Sequence, residues 1–160
     1  MAPASVDEFL IAHQIEFTLH EHPAVYTTDQ AAVHTAHIPG MDCKNLLLKD
    51  QKDKRFFLLI LPASEKADLT EFASKVGEKK LSFANSKNLK DLLGVEPGSV
   101  SPFGLINDHD KTVEVYIHSK VINAEKVKFH PNRNTASLEI SNAMFQKYLE
   151  SMGHEIKIIG

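Results

Sequence analysis

The sequence predicts one domain of the mixed α/β class: a mixed sheet with helices packed on it. Three observations carry that prediction. Strand-like and helix-like segments interleave along all 160 residues. Several strand candidates are joined by turns too short to hold a crossover helix. Antiparallel pairs must therefore occur, and a doubly wound parallel sheet is disfavoured. No repeat, low-complexity tract or linker divides the chain, so residues 1–160 are expected to fold as one unit large enough to bury a core.

The elements follow in order. Ser5 with Glu8 forms a capping box ahead of Val6, Phe9 and Leu10, the apolar face of a short helix. Phe17 and Leu19 alternate with polar neighbours, as in a half-buried strand. Thr27 or Thr28 caps a helix over Asp29–Ala36. The stretch His37–Asp42 contains Pro39 and Gly40 and reads as a loop. Strands Lys44–Lys49 and Arg55–Leu61 flank the polar Asp50–Lys54, a hairpin turn. Asp68 caps a helix with Leu69, Phe72, Ala73 and Val76 on one face. Leu81 and Phe83 mark a short strand, and Ser86 caps a helix through Leu93 that Gly94 ends. Phe103–Ile106 and Thr112–Ile117 flank Asn107–Lys111 as a second hairpin. Val127–Phe129 and Thr135–Ile140 are further strands. Ser141 caps a last amphipathic helix bearing Met144, Phe145, Tyr148, Leu149 and Met152. Gly153 stops it, and Ile156–Ile159 is a terminal strand.

Composition narrows the function. The formal net charge is −3, which excludes a general nucleic-acid binder; any RNA contact must be a small local patch, and DNA is not expected. The single cysteine, Cys43, excludes an internal disulfide and suits a reducing compartment. No apolar run approaches membrane-spanning length. The start MAPASVDEFL lacks the basic and apolar stretches of a secretory signal, so a cytoplasmic protein without membrane partners is expected.

Five segments are candidates for chemistry. His13, His20, His22, His34 and His37 are rich in metal-ligand types, but no spacing matches a metal motif, so no metal and no cofactor are expected. Cys43 shows no partner base and reads as a small apolar filler. Lys44-Asn45-Leu46-Leu47-Leu48-Lys49-Asp50 reads by pattern as a core strand that begins with a solvated lysine. Gly94-Val95-Glu96-Pro97-Gly98-Ser99-Val100-Ser101-Pro102-Phe103-Gly104 has a backbone path set by its prolines and glycines. Such a loop can turn consecutive N–H groups and the Ser99 hydroxyl toward an oxyanion, or simply connect a helix to a strand. Phe129-His130-Pro131-Asn132-Arg133-Asn134-Thr135 puts a histidine at a strand end, where loops carry function.

Taken together, KNLLLKD, GVEPGSVSPFGLIND and FHPNRNTASLEIS resemble the YbaK-like family, which includes the editing domain inserted in bacterial prolyl-tRNA synthetases. The resemblance runs from about HPAVYTT to the last helix and is strongest to free-standing alanyl-tRNA(Pro) deacylases. It implies a compact mixed sheet, partly barrel-like, with surrounding helices. It implies hydrolysis of the ester between alanine and the 3′-terminal adenosine of proline tRNA, with prolyl-tRNA synthetase as a possible partner. The family's lysine carries over to Lys44, its asparagine to Asn45 and its histidine to His130. Its G-x-x-x-P loop carries over to Gly98, Ser99 and Pro102. Asn132 and Thr135, beside His130, are expected to bind substrate. Relatives that clear cysteine show Lys-Thr where this chain has Lys44-Asn45 and lack the FHPN segment, which points to alanine.

The roles expected on that resemblance are specific. The Gly98-Ser99 loop donates to the oxyanion, Lys44 holds phosphate or ribose, Asn45 fixes the amino or carbonyl group, and His130 orients ribose or water. Lys126, Lys128 and Arg133 flank His130 and either meet acceptor-stem phosphates or form a solvated strand face. In a regular strand Lys44 and Asn45 face opposite sides, unless their place at a strand start lets both reach one pocket. Two other readings stay open: a non-catalytic module that grips an aminoacyl-tRNA or a synthetase, and a deacylase for serine or cysteine.

Overall fold

The structure is a computed structural model and describes residues 5–24 and 28–160. Its strands are β1 (Thr18–Glu21), β2 (Met41–Lys49), β3 (Phe56–Pro62), β4 (Ser82–Phe83), β5 (Val113–His118), β6 (Lys126–Phe129), β7 (Ala136–Ser141) and β8 (Ile156–Ile159). Its helices are α1 (Val6–Ala12), α2 (Thr28–Thr35), α3 (Leu69–Lys75), α4 (Ser86–Leu93), α5 (Ser119–Ile122) and α6 (Asn142–Met152). The strands form a mixed sheet in the order β1-β7-β6-β2-β3-β5-β8, with β4 also on β2.

Strand β2 joins the two halves of this sheet. Its first two residues pair in parallel with β6, Met41 with Val127 and Asp42 with Lys128. From Cys43 onward it pairs antiparallel with β3, ending at Lys49 opposite Phe56. The hairpin expected across Asp50–Lys54 therefore forms. Asp50 closes it by accepting from the backbone N–H groups of Lys54 and Arg55. Strand β3 is buried along its whole length, which explains its unbroken apolar run. One face, with Leu58 and Ile60, packs on Phe145, Tyr148 and Leu149 of α6. The other, with Phe57, Leu59 and Leu61, packs on Phe72 and Ala73 of α3.

Several expectations shift. Residues Phe103–Ile106 form no strand; they lie in a 3₁₀ helix, Pro102–Asn107. Ser101 caps that helix by accepting from the Phe103 N–H, and Pro102 presets the first helical φ. The run is buried from Pro102 through Ile106, so it never shows the alternation that separates strand from helix. The second hairpin is consequently absent, and β5 pairs in parallel with both β3 and β8. Helix α4 is capped by Asn85 rather than Ser86, through a reciprocal box with Asn88. Strand β2 starts at Met41, inside the expected loop. Thr27, one of the two expected caps of α2, lies outside the described residues, and Thr28 is the first residue of α2. Ser5, Asp68 and Ser141 cap their helices as the sequence indicates.

Candidate active site

Lys44 and His130 each follow by two residues the last pair of the β2–β6 ladder, Asp42 with Lys128. Asp42 and Lys128 are paired and share an ion pair of 3.0 Å, so they mark one face of the sheet. Alternation puts Lys44, two residues after Asp42, on that face, and His130 follows Lys128 by the same step. His22 approaches from β1, its ring 6.4 Å from that of His130. Helix α2 is pinned over the same face. The buried Lys128 ammonium donates to the carbonyls of Thr35 and Ile38, satisfying orphan acceptors at the end of that helix.

Asn45 points the other way, into the larger core beside Cys43 and Leu47. Both Lys44 and Asn45 lie inside β2 rather than at its start, so the regular alternation holds. Its Oδ1 is buried without a hydrogen-bond donor from the protein. A buried carbonyl-type acceptor left without a donor costs about 1–3 kcal/mol, so a donor supplied by a ligand is favoured there.

His130 is buried enough to stay neutral. Burial lowers its pKa below the ordinary histidine range; its bond to the Ala136 carbonyl opposes this in part, and the neighbouring His22 adds a smaller lowering. Its Nδ1 lies 2.9 Å from the Ala136 carbonyl. A carbonyl only accepts, so this bond assigns the proton to Nδ1 and leaves Nε2 as an acceptor. The side chain can therefore accept a proton or hydrogen bond from a hydroxyl or water at neutral pH.

The Gly98–Pro102 loop is held from several sides. Gly98 has φ +90°, a conformation that suits glycine, and the space where a Cβ would stand is open. The Ser99 N–H donates to the Glu96 carbonyl at 3.0 Å. That amide is already engaged, so the oxyanion donor expected from Gly98-Ser99 falls to the Gly98 N–H. Tyr148 donates its hydroxyl to the Pro102 carbonyl at 2.6 Å. Asn132, at φ +63°, accepts from the Ser101 hydroxyl at 3.0 Å and donates to the Phe103 carbonyl at 3.3 Å. Ser101, buried ahead of Pro102, escaped the sequence reading, although Ser-Pro is a helix-start signature. The loop that bears His130 is thus bonded to the loop that bears Gly98.

Residues 22–148 match the family model of the aminoacyl-tRNA editing domain. The chain belongs to that family. It is 34% identical over 158 residues to the prolyl-tRNA editing protein ProX of Acetoanaerobium sticklandii, covering 98% of this chain and 93% of that protein. It is 31% identical over 156 residues to prolyl-tRNA synthetase associated domain-containing protein 1 of Bos taurus, covering 95% and 91%. Its fold matches the crystal structure of a candidate trans-editing enzyme for prolyl tRNA synthetase, with a TM-score of 0.71 at 20% identity over 96% and 92% of the two chains.

Within this editing domain the other candidate groups have defined places. Burial and then the Asp42 charge push the Cys43 thiol up to about 12, which keeps it from serving as a thiolate. Its Sγ donates to the Met41 carbonyl. Thr135 braces the site: its carbonyl accepts from the His22 N–H, and its hydroxyl accepts from Arg133. The three cations around His130 are all engaged. Lys126 pairs with Glu139, Arg133 with Glu21, and Lys128 is buried against α2. His20 bonds Glu139, and His22 bonds Ser137 and Pro23. Among the described residues no group of three or more His, Cys, Asp or Glu side chains is arranged to hold a metal.

Proposed function

We propose that this editing domain hydrolyses the ester joining alanine to the 3′-terminal adenosine of proline tRNA, in trans to the synthetase that made the error. A synthetase pocket shaped for proline discriminates against a smaller side chain by only ~1–3 kcal/mol per methylene, so a second, hydrolytic sieve is needed. The observation that carries the proposal is the closure of the His130 loop on the Gly98–Pro102 loop through Ser101 and Asn132. That closure ties the loop that bears the neutral His130 imidazole to the loop that bears Gly98, whose Cβ side faces open space.

The chemistry follows from those groups. An aminoacyl ester is already activated, and with the Cys43 thiol held protonated, water is the attacking group. The water oxygen bonds to the carbonyl carbon, and the Gly98 N–H donates to the oxyanion that develops. The carbon–oxygen bond to the ribose then breaks, and the proton lost by water ends on the ribose oxygen. His130 Nε2 accepts from the water or from the ribose 2′-hydroxyl and fixes its direction. The buried Asn45 Oδ1 takes the substrate's ammonium as its missing donor. Lys44, on the His130 face, meets the terminal phosphate or ribose as a point charge.

Proline is rejected because the loop wall is stiff. Pro97 and Pro102 limit its backbone, and the Tyr148 and Asn132 bonds hold it from outside. Prolyl-tRNA synthetase is the proposed source of the substrate, and the cytoplasm the proposed compartment. The test is to incubate the protein with proline tRNA charged with Ala, Cys, Ser or Pro and to follow ester loss. Loss of the alanyl ester with the prolyl ester intact is expected. Preferential loss of another ester corrects the substrate, and binding without any loss replaces the enzyme with a binding module.

A further inference from the structure

Asn132 holds a strained backbone next to the site and uses both ends of its amide on the opposite loop. Its φ of +63° lies in the left-handed region, which is unfavourable for an L-residue and which asparagine tolerates better than most. Its Oδ1 takes the one proton of the Ser101 hydroxyl, and its Nδ2–H donates to the Phe103 carbonyl. With its proton committed, the Ser101 oxygen presents a lone pair to the Phe103 N–H at 3.1 Å. The Asn132 amide, the Ser101 hydroxyl and the Phe103 backbone therefore form a closed set in which each has a directional partner. Ser101 is fully buried, so water does not substitute when a member is removed.

The bonded groups span 29 and 31 positions of sequence and join two segments that nothing local ties together. Two residues before Asn132 stands His130. Three residues before Ser101 stands Gly98. We infer that Asn132 is a positioning residue: it touches no substrate, and it sets the separation between His130 Nε2 and the Gly98 N–H. This departs from the sequence expectation of Asn132 as a substrate ligand, and it rests on the deacylase reading above. The strain is retained because the left-handed turn is what aims the amide at Ser101 and Phe103.

Transition-state geometry is more sensitive to such a separation than ground-state binding is, since about 1 Å of misplacement costs on the order of 10²-fold in rate. Removing the clamp should therefore lower kcat and leave KM for the charged tRNA nearly unchanged. It should also let the loop wall yield, so that prolyl ester is cleaved relatively better. Asn132→Gly keeps the backbone conformation while deleting both bonds. Ser101→Ala deletes the opposite end.

The experiment measures kcat and KM of wild type, Asn132→Gly, Ser101→Ala and the double variant on Ala-tRNA(Pro) and Pro-tRNA(Pro). Each single variant should lose about tenfold or more in kcat with KM within about twofold, and the Ala-to-Pro ratio of kcat/KM should fall. The double variant should be no worse than the poorer single, because both delete one device. Should Asn132→Gly fail to fold, Asn132→Asp keeps the Ser101 acceptor, sets an oxygen against the Phe103 carbonyl, and should show the same kcat loss. Additive losses, or losses confined to KM, overturn the clamp. An active wild type whose variants keep its kcat also overturns it. A wild type that leaves every ester intact overturns instead the deacylase reading.

Discussion

Tyr148→Phe isolates one bond that holds the site loop. Tyr148 is fully buried on α6, and its ring packs edge-on against Phe103 at 4.9 Å and Phe9 at 6.1 Å. Phenylalanine keeps that ring and deletes only the hydroxyl that donates to the Pro102 carbonyl at 2.6 Å. Pro102 is itself buried, so its carbonyl loses a donor that water does not replace. Leaving such a group unsatisfied costs about 1–3 kcal/mol. For a domain of this size that cost lowers Tm by roughly 2–4 °C per kcal/mol. Urea unfolding followed by circular dichroism should show a lower midpoint at unchanged slope, because the same surface is exposed on unfolding. Burial also holds the Tyr148 hydroxyl protonated far above its ordinary range, so the bond survives mild alkali. A variant that is as stable as wild type would refute the reasoning and leave the prolines and the Asn132 bonds to hold the loop.

Four further outcomes are expected. A Cβ at Gly104 would stand 2.7 Å from that of the fully buried Leu93, so Gly104→Ala should cost about 1–3 kcal/mol in urea unfolding. Burial raises the Asp108 pKa, but hydrogen bonds from His154 and from the N–H groups of Val113 and Thr112 outweigh it and hold the carboxyl below its ordinary range. The stability this contributes is present above the unfolded pKa, about 4, and is lost as pH falls through the lower folded value; Asp108→Asn should flatten the pH dependence of the urea midpoint in that acid window. Cys43→Ala should keep most ester hydrolysis, and mass spectrometry should trap no thioester on the wild type. With Lys126, Lys128 and Arg133 engaged in the protein, tRNA binding should show a shallow salt slope, each neutralised phosphate adding only about 0.7–0.9; a steep slope would reveal a basic surface elsewhere.

Much of this fold was legible because local chemistry and tertiary structure agree. The caps at Ser5, Asp68 and Ser141 and the polar turn between β2 and β3 are written in short-range pattern. Residues Phe103–Ile106 were misread because a run buried on every side has no period to read. The parallel partners of β5 were invisible, since pairing between distant strands leaves no mark within either one. The site divides the same way. His130 and the Gly98–Pro102 loop stand out as residue types at unusual places. The Ser101–Asn132 clamp, the Tyr148 bond and the burial of Lys128 under α2 arise only when segments far apart in sequence meet. Lys126, Lys128 and Arg133 admitted two readings, phosphate ligands or a solvated strand face, because a sequence shows charges and not their partners.

The central claim is that Asn45, through its unsatisfied acceptor, and His130 both serve the hydrolysis of alanyl esters of proline tRNA. It is tested most directly by single-turnover hydrolysis of Ala-tRNA(Pro) and Pro-tRNA(Pro) with wild type, Asn45→Ala and His130→Ala. The wild type should clear the alanyl ester and spare the prolyl ester, and each variant should lose about tenfold or more on the alanyl ester, roughly the 1.4 kcal/mol that one oriented hydrogen bond supplies. Variants that cleave Ala-tRNA(Pro) at the wild-type rate would contradict the assignment and place the chemistry elsewhere in the molecule.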